Sequence, residues 1–154
     1  MLHEGDPAPK FTLEGDDGAN VSLADFSGRT LVLYFYPKDN TPGCTLEAQG
    51  FSAAIKHFTK AGAAVVGISK DSTKSHAGFR DKYKLGFTLL SDPELTVHNA
   101  FGTYGEKTLY GKKMMGTIRS TFIIGKKGKI LRVFPKVKVN GHVDEVFTAV
   151  KELG

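Results

Sequence analysis

The chain has 154 residues, 40% of them hydrophobic and 24% charged, with 21 Lys+Arg against 16 Asp+Glu for a net charge of +5. That is the length and make-up of one globular domain, 1–154, and it excludes a disordered tail, a collagen-like repeat and a membrane protein. The longest apolar run, Leu31 to Tyr36, falls far short of the ~20 residues that cross a bilayer. The opening MLHEGDPAPKF has neither a basic n-region nor an apolar h-region, and a single cysteine, Cys44, allows no intrachain disulfide, so a reducing cytoplasm is the expected compartment. The basic residues are scattered, and the densest groups, Lys112-Lys113 and Lys126-Lys127, flank turn-like glycines. They read as solvated surface rather than a nucleic-acid footprint.

Phe11–Leu13 and Val21–Leu23, separated by Gly15-Asp16-Asp17-Gly18, predict an N-terminal β-hairpin. Thr30 to Tyr36, β-branched and aromatic on both faces, predicts a strand covered on both sides. Leu46, Phe51, Ala54, Ile55 and Phe58 recur at helical spacing and predict one amphipathic helix ending at Ala61-Gly62. Ala63–Ser69 is a second buried strand, Asp71-Ser72 caps a helix running to about Lys84, and Phe87–Leu90 is a short strand. Ser91-Asp92-Pro93-Glu94 predicts a helix toward Ala100 with proline in its first turn. Thr121–Ile124 and Ile130–Phe134 form a second hairpin, and Val143, Val146, Phe147, Val150 and Leu153 line one face of a last helix. The order hairpin, βαβαβα, hairpin, helix fits a thioredoxin-like α/β sandwich, a mixed central sheet flanked by helices; a plain doubly wound fold fits less well, because no helix separates the final two strands.

Function in open α/β sheets gathers at the carboxyl ends of the strands. The segment there is Pro37-Lys38-Asp39-Asn40-Thr41-Pro42-Gly43-Cys44-Thr45-Leu46-Glu47. Pro42 suits a first helical turn and Thr41 an N-cap, which holds Cys44 near unpaired amides and the positive end of the helix dipole. Such a place favours thiolate over thiol. A lone cysteine is more often a small buried hydrophobe, but its position after Thr-Pro-Gly points to a reactive thiol. The histidines, His3, His57, His76, His98 and His142, show no ligand spacing, and no phosphate-binding loop is present, so no metal and no cofactor are expected.

The stretch YFYPKDNTPGCTLEA resembles the active-site region of the peroxiredoxins, specifically the peroxiredoxin Q or bacterioferritin comigratory protein group. The resemblance continues through GDPAPKFTL, VVGISKDS, FTLLSD, FGTYGEK and GTIRSTFIIGKKGKI, in the same order over essentially the whole chain. It implies a thiol-dependent peroxidase. The family's P-x-x-x-T-x-x-C residues fall on Pro37, Thr41 and Cys44, its distant arginine on Arg119, and the glutamate that holds that arginine on Glu47. Without the resemblance, Arg119 reads as an edge cation, Thr41 as a cap, Glu47 as a helix-dipole partner and Pro37 as a strand terminator.

An ordinary thiol of pKa ~8.5 is a few per cent thiolate at neutral pH, so ionisation alone raises reactivity by at most about thirty-fold. The remainder has to come from placing the O–O bond and stabilising charge on the departing oxygen. Arg119 would donate to sulfur and peroxide, the Thr41 hydroxyl would accept from one peroxide oxygen, and amides at Gly43 or Cys44 would donate. Peroxide binding is therefore expected at Thr41, Gly43, Cys44 and Arg119. Many members of the group carry a resolving cysteine five residues after the first; here that position is Gln49. A one-cysteine cycle follows, in which an external thiol (thioredoxin, glutaredoxin or glutathione) reduces the sulfenic acid. A redox sensor or holdase-like module that no longer turns over is the alternative. A monomer or weak homodimer is expected.

Overall fold

In the computed structural model, which describes residues Met1–Gly154, the N-terminal hairpin pairs β1 (Thr12–Gly15) with β2 (Asn20–Ser22), Leu13 opposite Val21. A 3-10 turn over Leu23–Phe26 leads into β3 (Thr30–Phe35), all six residues of which are buried. Its side chains alternate between two cores. Val32 and Tyr34 point into one with Tyr36, and Leu31, Leu33 and Phe35 into the other.

The single helix expected after β3 is two helices, α1 (Pro42–Ala53) and α2 (Ile55–Lys60). Ala54 leaves the helical region at φ −95°, ψ 2°, and its N–H is shared among the carbonyls of Gly50, Phe51 and Ser52. The buried stripe of α1 is Cys44, Glu47, Ala48 and Phe51; Leu46, expected on that stripe, stands 60% exposed. β4 (Ala63–Ser69) and α3 (Thr73–Tyr83) follow as expected, the Ser72 hydroxyl capping α3 by accepting from the Ser75 N–H.

After β5 (Thr88–Ser91), α4 spans Thr96–Phe101, so Pro93 lies in the preceding turn and not in the helix. Leu95 sits there in the left-handed region at φ 63°. The Asp92 carboxylate accepts from the N–H groups of Val97 and His98, at 3.3 and 2.8 Å. It satisfies the free donors of the helix end from further back than a cap residue would.

β6 (Tyr104–Leu109) and β7 (Lys112–Thr117) then form a two-stranded arm apart from the main sheet, an element with no counterpart among the expected strands. The closing hairpin, β8 (Ser120–Ile124) with β9 (Ile130–Phe134), and the final helix α5 (His142–Leu153) match expectation.

The main sheet runs β2-β1-β5-β4-β3-β8-β9. Three parallel strands form its centre, and each edge is an antiparallel hairpin. One face packs Tyr34, Tyr36 and Ile123 under Phe51 of α1, Phe58 of α2, Phe79 of α3 and Val146 of α5. The other packs Leu33, Phe35 and Phe122 under Phe101 of α4 and Phe11. Two register facts place the site. β3 ends where the loop to α1 begins, and Phe35 pairs with Ser120, so Arg119 falls just past the end of β3.

Candidate active site

Asn40 adopts a left-handed φ of 63°, a conformation asparagine tolerates, and turns the chain into Thr41 and the first turn of α1. Pro42 opens the helix and Cys44 is its third residue, so the Gly43 and Cys44 amides lie in the turn whose donors have no helical acceptor. Thr41 occupies the N-cap position without capping: its hydroxyl donates to the Lys38 carbonyl at 2.7 Å. With its hydrogen committed there, the oxygen keeps lone pairs to accept from a ligand.

Arg119 closes over the cysteine from the other side. Nη2 lies 3.2 Å from Cys44 Sγ, and Nη1 donates to Glu47 Oε1 at 2.6 Å. The Arg119 carbonyl is fixed in turn by the Val137 N–H at 2.8 Å. Gly43 makes room for the guanidinium, since a Cβ there would stand 3.2 Å from Nη2. Cys44 is 1% exposed and Glu47 is equally sealed.

Burial drives the Glu47 carboxyl up from its ordinary 4.5 to about 7, against the opposing pull of Arg119. Glu47 Oε2 has no hydrogen-bond partner, and neither does the nearby Tyr34 hydroxyl, which burial and then the Glu47 charge push well above the usual phenol value. For Arg119, burial works against the charge, but Glu47 and Cys44 outweigh it and leave the guanidinium more firmly protonated than usual.

The structure therefore brings Cys44, Arg119 and Glu47 into direct contact, with Thr41 and Gly43 in the same turn. Pro37 lies half-buried where β3 gives way to the loop, and Gln49 stands exposed on α1. No local pattern in the chain marks how the loop is held. Asp39, buried within it, accepts from the Tyr36 hydroxyl at 2.7 Å and the Ser75 hydroxyl at 2.8 Å, and lies 2.7 Å from His76 Nδ1. His76 Nε2 faces the Leu90 carbonyl at 2.9 Å, and the Asp39 N–H donates to Asp71 at 2.9 Å. Burial raises the Asp39 carboxyl, but the bonds from His76, Tyr36 and Ser75 together bring it below the usual range. Asp39, Asp71 and His76 offer donor atoms within 4.8 Å of one another, yet those atoms are already engaged with protein partners. His76 is 37 residues from Asp39, a separation at which no spacing rule operates.

The AhpC/TSA family model matches residues 4–133. This chain is a member of that family. Within it, the chain is similar to the putative peroxiredoxin Bcp of Coxiella burnetii, at 53% identity over 94% of this chain and 96% of that one. A mutant of Xylella fastidiosa PrxQ superposes with a TM-score of 0.94 at 37% identity, covering 99% of this chain and 98% of the other. The bacterioferritin comigratory protein of Xanthomonas campestris, described with alkyl peroxide reduction activity, gives a TM-score of 0.88 at 42% identity over 93% and 91%. The expected thioredoxin-like sandwich is thus the fold found, and this peroxiredoxin is a thiol peroxidase. No helix in it is long and apolar enough to cross a membrane.

Proposed function

We propose that this peroxiredoxin reduces hydrogen peroxide and organic hydroperoxides at Cys44 in a one-cysteine cycle completed by an external thiol. The contact between Arg119 Nη2 and Cys44 Sγ carries the reading, because it sets a fixed cation beside the only sulfur nucleophile of the chain. The thiolate attacks the nearer peroxide oxygen, the S–O bond forms as the O–O bond breaks, and the departing alkoxide takes a proton to leave as alcohol or water. Sulfur is oxidised by two electrons to the sulfenic acid. Arg119 and the Gly43 and Cys44 amides stabilise charge on the moving oxygens, the Thr41 oxygen accepts from the peroxide O–H, Pro37 shields the sulfur from water, and Glu47 positions Arg119. The similarity to the Xanthomonas protein supports organic peroxides as substrates.

Gln49 supplies no second sulfur, and the chain contains no other cysteine. The sulfenic oxygen therefore leaves as water when a thiol from outside attacks, and a second external thiol releases Cys44 from the mixed disulfide. Because Cys44 is sealed under Arg119, a protein-sized thiol reaches it only when the first turn of α1 gives way. Peroxide consumption with dithiothreitol tests the reading, together with intact mass after one equivalent of peroxide and dimedone. Turnover and a dimedone adduct on Cys44, both lost in Cys44→Ser, are expected. A single oxidation without turnover would assign the chain to a sensor instead.

A further inference from the structure

Four of the six large hydrophobic side chains standing in solvent lie on the β6–β7 arm: Leu109, Tyr110, Met114 and Met115. The strands pair from Tyr104↔Thr117 out to Leu109↔Lys112, leaving Tyr110-Gly111 as a two-residue turn with both φ angles positive, at 51° and 76°. Asparagine, aspartate or glycine suits the first position of such a turn. Here an aromatic residue takes it at a conformational cost, and its ring is 96% exposed, so nothing within the chain offsets that cost.

From Lys107 to Met115 the arm carries three lysines and no acidic residue. The one glutamate nearby, Glu106, lies 3.7 Å from Lys113. The base of the arm runs into the site: β7 ends at Thr117, and Arg119 follows two residues later. Lys107 turns back to donate to the Thr117 carbonyl at 3.0 Å, which leaves Lys112 as the exposed cation beside an apolar tip and adaptable methionines, on an arm that is still net positive: a surface suited to an acidic macromolecule.

We propose that the arm is the docking surface for the electron donor, an acidic protein carrying an exposed dithiol. The proposal rests on the one-cysteine cycle above. A peroxide is too small to need such a surface, whereas a chain with one sulfur requires a visiting thiol in every turnover. The partner's first thiolate attacks the Cys44 sulfenic sulfur, an S–S bond forms and the oxygen leaves as water. Its second thiol then attacks its own sulfur in the mixed disulfide, leaving Cys44 reduced and the partner oxidised by two electrons.

The test compares two reductants on the whole enzyme: dithiothreitol, which needs no docking, and thioredoxin, an acidic protein dithiol, regenerated by its reductase and NADPH. The variants are Tyr110→Asn, which suits the turn and so guards against misfolding, Met115→Ser and Lys112→Glu. For the triple variant, KM for thioredoxin is expected to rise about tenfold, while turnover with dithiothreitol stays within about twofold. Added salt should raise KM for thioredoxin in the wild type and less so in Lys112→Glu. An equal loss with both reductants would overturn the proposal, as would an unchanged KM for thioredoxin or wild-type turnover with dithiothreitol alone. Binding of the wild type, but not the variant, to phosphatidylglycerol vesicles with KM unchanged would assign the arm to a lipid surface. Absence of turnover with dithiothreitol would defeat the one-cysteine reading itself.

Discussion

The carboxylate of Asp39 lies 2.7 Å from Nδ1 of His76, both side chains being almost wholly buried, and the pair ties the loop after β3 to α3. Removing one partner of a buried pair strands the other, at a cost of about 3–5 kcal/mol. His76→Ala is therefore expected to lose about 3 kcal/mol in urea unfolding and to lower kcat/KM for peroxide in the molecules that remain folded, because Thr41 sits two residues beyond Asp39. Asp39 titrates below its unfolded value, so its stabilisation is present above the ordinary aspartate range and is lost as pH falls through the lower folded value. Acid unfolding should be shallower in Asp39→Asn; superimposable acid transitions would remove Asp39 from this role.

Arg119 uses separate nitrogens for sulfur and carboxylate. Lysine offers one nitrogen on a flexible stem and cannot hold both partners in that geometry. Arg119→Lys should reduce kcat/KM by about a hundredfold, near 3 kcal/mol, while circular dichroism and melting change little. Near-wild-type activity would mean that charge alone suffices.

Gly43 is defined by what its missing side chain leaves open. A Cβ would press on Arg119 Nη2 at 3.2 Å, tighter than ordinary contact, and the guanidinium would have to shift by a few tenths of an ångström. Gly43→Ala is expected to cost about tenfold in kcat/KM, with a stability change below about 1 kcal/mol. Stopped-flow oxidation of Cys44 by one equivalent of peroxide would show it directly.

Glu47 gives a pH dependence of opposite sign to Asp39. With its folded pKa raised to about 7 from 4.5, the fold keeps a proton that the unfolded chain has released. Stability from this group is present below the unfolded value and is lost as pH rises through the folded one, at up to about 1.4 kcal/mol per pH unit. Urea midpoints between those limits should fall with rising pH in the wild type relative to Glu47→Gln. Parallel curves for the two proteins would disprove it.

Elements with a buried face were legible from sequence. β3, β4, α3, β8, β9 and α5 stand close to where their patterns put them, because burial imposes period and composition together. The arm was not legible: Glu106, Lys113 and Met115 face solvent on a ribbon that is buried only at its base, at Gly116 and Thr117, so no alternation marks it. The break at Ala54 carries no glycine or proline to mark it, and the late start of α4 goes with the Asp92 carboxylate reaching the Val97 and His98 N–H groups five and six residues on, further than a cap residue spans. Cys44, Arg119 and Glu47, which the family resemblance singled out, stand in contact, whereas the Asp39–His76 tie is a pairing between distant residues and had no local signal.

The arginine lies 75 residues beyond the cysteine and reaches it only through the pairing of β8 with β3. A nascent chain still lacking its carboxyl-terminal third would thus expose a sulfur without the cation meant to serve it. Sensitivity to peroxide at Cys44 should switch on late in biogenesis, which would let a pulse of oxidant during synthesis report when that last antiparallel ladder zips shut.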